Sequence, residues 1–125
     1  MSTLEFNEYQ YRATKTAIYP GIGNYASHPG LSDLERLAPL LYLGCKLAGE
    51  AGEVAEKIGK ALRDGVPDET VWSYDLAREL GDVLWYISQI ARELGYPLAG
   101  IASDNLDKLA DRQQRGALQG SGDNR

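Results

Sequence analysis

Residues 48–86 read AGEAGEVAEKIGKALRDGVPDETVWSYDLARELGDVLWY and carry two short acidic motifs, Glu50-Ala51-Gly52-Glu53 and Glu79-Leu80-Gly81-Asp82. On a helix the two acids of each motif lie three residues apart and project from one face. Between the motifs stands a helix stop, Arg63-Asp64-Gly65, in which a basic last turn precedes a glycine able to take the left-handed cap conformation. A helix start, Pro67-Asp68-Glu69, follows it. The stretch therefore predicts two long antiparallel helices joined by a short turn. Glu53 lies 12 residues before Gly65 and Glu79 lies 11 after Asp68, which puts both acidic pairs about 17 Å from the turn at 1.5 Å of rise per residue. Four carboxylates that face each other at one level are the material of a divalent-metal site.

Helical rotation agrees. At ~100° per residue Leu43, Leu47, Ala51, Val54 and Ile58 form one apolar stripe with Glu50 at its edge and Glu53 further round. On the second helix Trp72, Leu76, Leu80, Val83, Ile87, Ile90 and Leu94 form the stripe, and Asp75, Glu79, Asp82 and Tyr86 flank one side of it. Packing along the two seams brings the acidic strips together.

Upstream, Asn7-Glu8-Tyr9-Gln10 reads as a capping box, which predicts a first helix from Asn7 to Tyr19, stopped by Pro20. From Pro20 to Asp33 the chain is rich in glycine and proline and reads as a loop. A loop of this length in a small domain is either mobile or functional. The functional version is a lid or base pocket built from Tyr19, Asn24, Tyr25 and His28. A short helical turn at Leu34–Ala38 is expected next, with Pro39 as the first residue of the long helix. Gly44, Gly49, Gly52 and Gly59 on that helix each cost up to about 1 kcal/mol against alanine, a loss that close helix packing or close ligand approach would offset.

Downstream, the second long helix runs from about Glu69 to Leu94, with Gly95 as its cap. Leu84 and Trp85 lie off its stripe, which predicts a further layer from this chain or from another subunit. A fourth helix is expected from near Pro97 to before Gly116, with Asn105, Lys108, Arg112 and Arg115 on one face. The polar, glycine-rich residues 117–125 read as a disordered tail, which leaves residues 1–116 as the domain. No strand alternation appears, so the fold class is all-α, a helical bundle.

The 125 residues suit one domain that buries roughly two thirds of the surface its unfolded chain exposes. Cys45 is the single cysteine, which excludes an intrachain disulfide, and its place near the apolar stripe predicts a buried, inert thiol. No long apolar run suggests a membrane span, and the chain reads as cytoplasmic. A net charge of -5 argues against nucleic-acid binding, which needs a clustered positive surface. The one histidine, His28, gives little support to a catalytic triad, and no phosphate-binding loop with a G-x-x-x-x-G-K-[ST] pattern is present.

Glu50-x-x-Glu53 and Glu79-x-x-Asp82 occur within Leu47-Ala48-Gly49-Glu50-Ala51-Gly52-Glu53-Val54-Ala55-Glu56-Lys57 and Glu79-Leu80-Gly81-Asp82-Val83-Leu84-Trp85-Tyr86. In these contexts the pair resembles the MazG-like nucleoside triphosphate pyrophosphohydrolases, over about residues 5 to 116. The first helix ending in Tyr19-Pro20 and the short tail are similar to the short phage and bacterial members, which would place the chain in a host cytoplasm if a phage encodes it. The resemblance implies an all-α domain that cleaves nucleoside triphosphates between the α- and β-phosphates to a monophosphate and pyrophosphate. It implies magnesium or manganese, two or more ions per site, on Glu50, Glu53, Glu79 and Asp82, and a homodimer or homotetramer with sites near subunit interfaces. Asn105, Lys108 and Arg112 resemble an asparagine, lysine and arginine of the family's last helix, although the larger enzymes space that motif differently by a residue.

On that footing Glu53, with Glu50 as second choice, orients or deprotonates the attacking water. Lys57, Lys108 and Arg112 receive phosphates, and Tyr86, Asn105 and Asn24 contact the nucleotide. Trp72 and Trp85 read first as core or subunit contacts. The expected substrate is a deoxynucleoside triphosphate with a purine base, dGTP first. The alternatives are a dUTP, dCTP or phosphoribosyl-ATP hydrolase of the same superfamily and a non-catalytic helical interaction module. A ferritin-like redox bundle would need Glu-x-x-His pairs, and neither motif contains a histidine.

Overall fold

The structure is a computed structural model that describes residues 3–26 and 29–125. Among these residues it has four helices and no strand: α1 (Phe6–Thr14), α2 (Asp33–Asp64), α3 (Glu69–Leu94) and α4 (Leu98–Gln114). A single 3₁₀ turn, Asn24–Ala26, lies between α1 and α2. The all-α bundle is as expected, with α2 and α3 as its central antiparallel pair. His28 falls outside the described residues.

The punctuation between α2 and α3 falls where its residues place it, although Gly65, at ψ 176°, does not take the left-handed helical conformation expected of its cap. Gly65 takes φ 82° and its N–H donates to the Ala61 carbonyl at 2.8 Å, which ends α2. Asp68 then accepts from the Val71 N–H at 3.1 Å and starts α3.

The start of α2 differs from expectation. It begins at Asp33, where Ser32 accepts from the Glu35 N–H and the Glu35 carboxylate accepts from the Ser32 N–H, a reciprocal cap. Pro39 is therefore inside the helix and not at its first position. An interior proline leaves the carbonyl four residues back without its donor. Here that carbonyl belongs to Glu35, and the Asn24 side-chain amide donates to it at 3.0 Å. The loop can come this close because Gly21, at φ 72°, has no side chain: a Cβ there would stand 3.1 Å from the Pro39 Cδ.

α1 stops at Thr14, five residues earlier than Tyr19. The Thr14 and Thr16 hydroxyls donate back to the carbonyls of Gln10 and Ala13, and the backbone tightens into bonds three residues back over Lys15 to Ala17. Asn7 and Gln10 do not cap their own helix. They accept from the N–H groups of Ala99 at 2.9 Å and Leu98 at 3.0 Å, so α1 caps α4, whose own Pro97 has no side chain to do so. The Gln10 amide also donates to the Ser88 and Tyr96 carbonyls, tying α1 to α3.

The buried residues Pro39, Leu43, Ser88, Gln89, Ala91 and Leu98 gather at the end of the hairpin remote from its turn, where α1 and the α1–α2 connection cross α3. Cys45 is exposed rather than buried, because it stands two residues, about 200° of rotation, from the buried Leu43. The tail folds back along α4. Arg112, only 4% exposed, donates to the Asp123 carbonyl at 2.8 Å and to its carboxylate at 3.3 Å, and Arg115 donates to the Arg125 carbonyl.

Candidate active site

α2 and α3 bring three of the four acids together. Glu50, Glu53 and Glu79 each offer a carboxylate oxygen, and these oxygens lie within 4.8 Å of one another. The crowding has an electrostatic signature at Glu79, whose carboxyl is pushed above the usual range by loss of water first, then by its hydrogen bond with Glu53 and that residue's charge. Lys57 opposes the rise. Asp82 is outside the triangle, three residues along α3 from Glu79.

Asp82 instead joins Glu50 in lining a cavity of about 530 Å³ that opens beside the acids. One wall is the segment after α1, with Thr16, Ile18 and Tyr19; the other walls are Tyr42 of α2 and Trp85 and Tyr86 of α3. The Tyr86 hydroxyl is pushed above its ordinary range by burial first, then by Tyr42 and the charges of Glu50 and Asp82. Trp85 meets Tyr86 edge to face, with ring centroids 5.0 Å apart. A second, polar cleft on the other flank of the acids is lined by Lys57, Asp75, Arg78, Glu79 and Asp82. The carboxylates thus lie between an aromatic chamber and a cleft with two cations.

The model of the MazG nucleotide pyrophosphohydrolase domain matches residues 40–116, more than half of the chain. The chain belongs to the MazG family. That span contains α2 from Leu40, all of α3 and α4, and every acid of the cluster. The MazG chain is also 47% identical over 119 residues to "Gene 37 protein" of Mycobacterium phage L5, covering 94% of this chain and 96% of that protein. No solved structure matches it.

The remaining candidates lie apart from the acids in this MazG chain. Lys108 and Arg112 face the tail, where both reach the Asp123 carboxylate at 3.3 Å and hold it below its usual range. Asn105 and Lys108 line a separate cleft with Tyr96, Ile101 and Asp104. Asn24 is occupied by the Glu35 carbonyl and does not line the aromatic chamber. Tyr25 packs under Arg36, whose guanidinium is 5.1 Å from the ring centre. Sequence reasoning missed Thr16, Ile18 and Tyr42 as chamber walls, and Glu93, a buried carboxylate behind Tyr19. Tyr42 had a usable signal, lying eight residues before Glu50 and so two turns away on one face of α2. Among the described residues no helix is long and apolar enough to cross a membrane.

Proposed function

We propose that this MazG protein hydrolyses deoxynucleoside triphosphates at the α–β phosphate bond, consuming one water and releasing a nucleoside monophosphate and pyrophosphate. The observation that carries this reading is the convergence of Glu50, Glu53 and Glu79 next to an aromatic chamber that Glu50 itself lines. The three donors are hard carboxylate oxygens with no histidine or cysteine among them, a set that suits magnesium or manganese. Their mutual repulsion, felt at Glu79, is what divalent cations would relieve. We assign Glu50, Glu53 and Glu79 to hold two or more such ions, with Asp82 at the chamber side. When bound, the ions neutralise phosphate charge and make a coordinated water more acidic.

The chain's own groups do the rest. Glu53 orients the attacking water and accepts its proton. Lys57, beside Glu79, receives the terminal phosphates. Tyr86 turns its hydroxyl toward sugar and phosphate, while Tyr42 and Trp85 offer ring faces to the base. We take the base to be a purine, guanine first, because a larger ring system covers more of these aromatic walls. Lys108, Arg112 and Asn105 are the candidates for phosphate and nucleotide contacts made through a second copy.

Association of copies has its own support. The chain exposes 9042 Å², whereas a monomer of 13.7 kDa is expected to expose about 6,600 Å². Large apolar side chains on α2 and α3 contribute to the excess, Leu62 at 89% and Leu80 at 53% exposure among them. A homodimer or homotetramer would cover them.

A panel of the common ribo- and deoxynucleoside triphosphates with magnesium or manganese, pyrophosphate being quantified, tests the function. Turnover is expected, fastest with dGTP. A preference for dUTP or dCTP would overturn the purine assignment, and no pyrophosphate from any substrate would overturn the hydrolase reading. Glu53→Gln should cost about 10²- to 10⁴-fold in turnover with the helical circular-dichroism signal unchanged.

A further inference from the structure

The far wall of the aromatic chamber is a stretch without regular structure, yet it is held by α3 at three successive turns. Trp85, Gln89 and Glu93 are spaced four residues apart and so share one face. The Trp85 indole N–H donates to the Thr16 hydroxyl oxygen at 2.9 Å, and the Gln89 amide donates to that of Thr14 at 3.4 Å. Glu93, only 4% exposed, accepts from the Tyr19 hydroxyl and, with its two oxygens at 3.0 and 3.2 Å, from the Gly23 N–H. Arg92 adds a donor to the Tyr19 oxygen at 3.5 Å. Tyr19 is 5% exposed and lines the chamber.

A carboxylate this deeply buried is tolerable only while its donors stay in place, so Glu93 and the segment it grips are mutually dependent. The two bonds it makes lie on either side of Pro20, and together they fix both the ring of Tyr19 and the direction in which the chain leaves the chamber. Glu93 itself neither lines the chamber nor joins the acids. Its influence reaches substrate only through Tyr19 and the wall.

We infer that Glu93 is a positioning residue for the nucleoside half of the substrate, locking Tyr19 and the turn at Gly23 so that the chamber keeps the shape of its ligand. The inference rests on the hydrolase reading above. It predicts a division of labour: loss of Glu93 loosens nucleoside binding and leaves the acids' hold on metal as it was.

The test uses the full chain carrying Trp72→Phe, which leaves Trp85 as the one indole. Glu93→Ala should raise KM for dGTP at least about tenfold, with kcat within about threefold and the manganese-induced rise in Tm unchanged. Trp85 emission should shift to the red as its wall detaches. Glu93→Gln keeps an oxygen acceptor and should recover most of KM; Tyr19→Phe, which deletes one of the two bonds, should fall between. An unaltered KM in folded Glu93→Ala overturns the inference, as does a parallel loss of kcat, KM and manganese response. If Glu93→Ala does not fold, Glu93→Gln and Tyr19→Phe decide: a raised KM in Tyr19→Phe supports the inference, and a wild-type KM in both overturns it. Failure of the hydrolase reading is seen separately, as absence of pyrophosphate release from the parent protein.

Discussion

At the end of the hairpin remote from its turn, α3 buries Ser88, Gln89, Ala91 and Glu93 under α1 and the α1–α2 connection, whereas toward the turn Val71, Tyr74 and Leu80 are 56, 65 and 53% exposed. Among the described residues, the same pair of helices is covered and finished by α1 and the α1–α2 connection at one end and left uncovered at the other. The acids and the aromatic chamber sit where the two regimes meet. Polar side chains give the finished end its single arrangement, since most of its long-range hydrogen bonds join α1 or its connection to α3. The unfinished end offers exposed apolar side chains and carboxylates that crowd one another at Glu53 and Glu79. The proposed ligand, a polyanion with its cations, would need a rigid wall on one side and unmet electrostatic demand on the other.

The contrast is most easily broken in the core. Leu43 is fully buried at the finished end, and Leu43→Ala should cost about 2–5 kcal/mol in urea unfolding of the metal-free protein. Leu62→Ala, at 89% exposure, should change stability by less than about 0.5 kcal/mol in dilute protein. If a second copy covers the turn end, the cost of Leu62→Ala grows with protein concentration, because association stabilises by mass action. Equal costs at the two positions in dilute protein would erase the distinction.

A smaller effect sharpens it through pH. Burial first, then the hydrogen bond and charge of Glu93, raise the pKa of Tyr19 well above its ordinary value. A tyrosine with a raised folded pKa contributes stability that is present below the unfolded pKa, about 10, and is lost as pH climbs above it. Tm of the wild type should therefore drop more steeply above pH 10 than that of Tyr19→Phe. At neutral pH the variant should lose about 1.5–3 kcal/mol, as expected for a buried hydrogen bond to a charged group. Parallel alkaline curves would mean that Tyr19 is not held against the Glu93 carboxylate.

What was legible in the sequence follows the same division. Signals local to one element were readable: Gly65 ends α2 and Asp68 starts α3 as their residue types demand, and the equal heights of the acidic pairs foretold that Glu50, Glu53 and Glu79 would meet. Signals whose partner lies on another element were not. Asn7 and Gln10 have the spacing of a cap for their own helix, and nothing within ten residues shows that their acceptors serve α4. Pro39 looked like a helix start because proline is welcome there; its interior place became possible through Asn24, fifteen residues earlier in the chain. Glu93 in the last turn of a helix reads as an ordinary surface acid until Tyr19 and Gly23 are seen to close over it. Lys108 and Arg112 carried a phosphate-like signal, and within one chain that signal is answered by Asp123.

The smallest effect asks what approaches the acids from outside. Gly52 sits between Glu50 and Glu53 in the sequence of α2, and a methyl group built on it meets no atom within 4 Å. In the metal-free, dilute chain Gly52→Ala should then stabilise α2 by up to about 1 kcal/mol, the ordinary helical preference for alanine. The same variant measured with manganese and dGTP discriminates what the glycine is for. If nucleotide or a second copy passes close to the backbone there, the gain turns into a loss and KM rises, since a new methyl in a tight contact has to displace its neighbour. A gain that persists unchanged under both conditions would mean that this face of α2 stays open to water throughout turnover, and that phosphates reach Glu50 and Glu53 only from the α3 side.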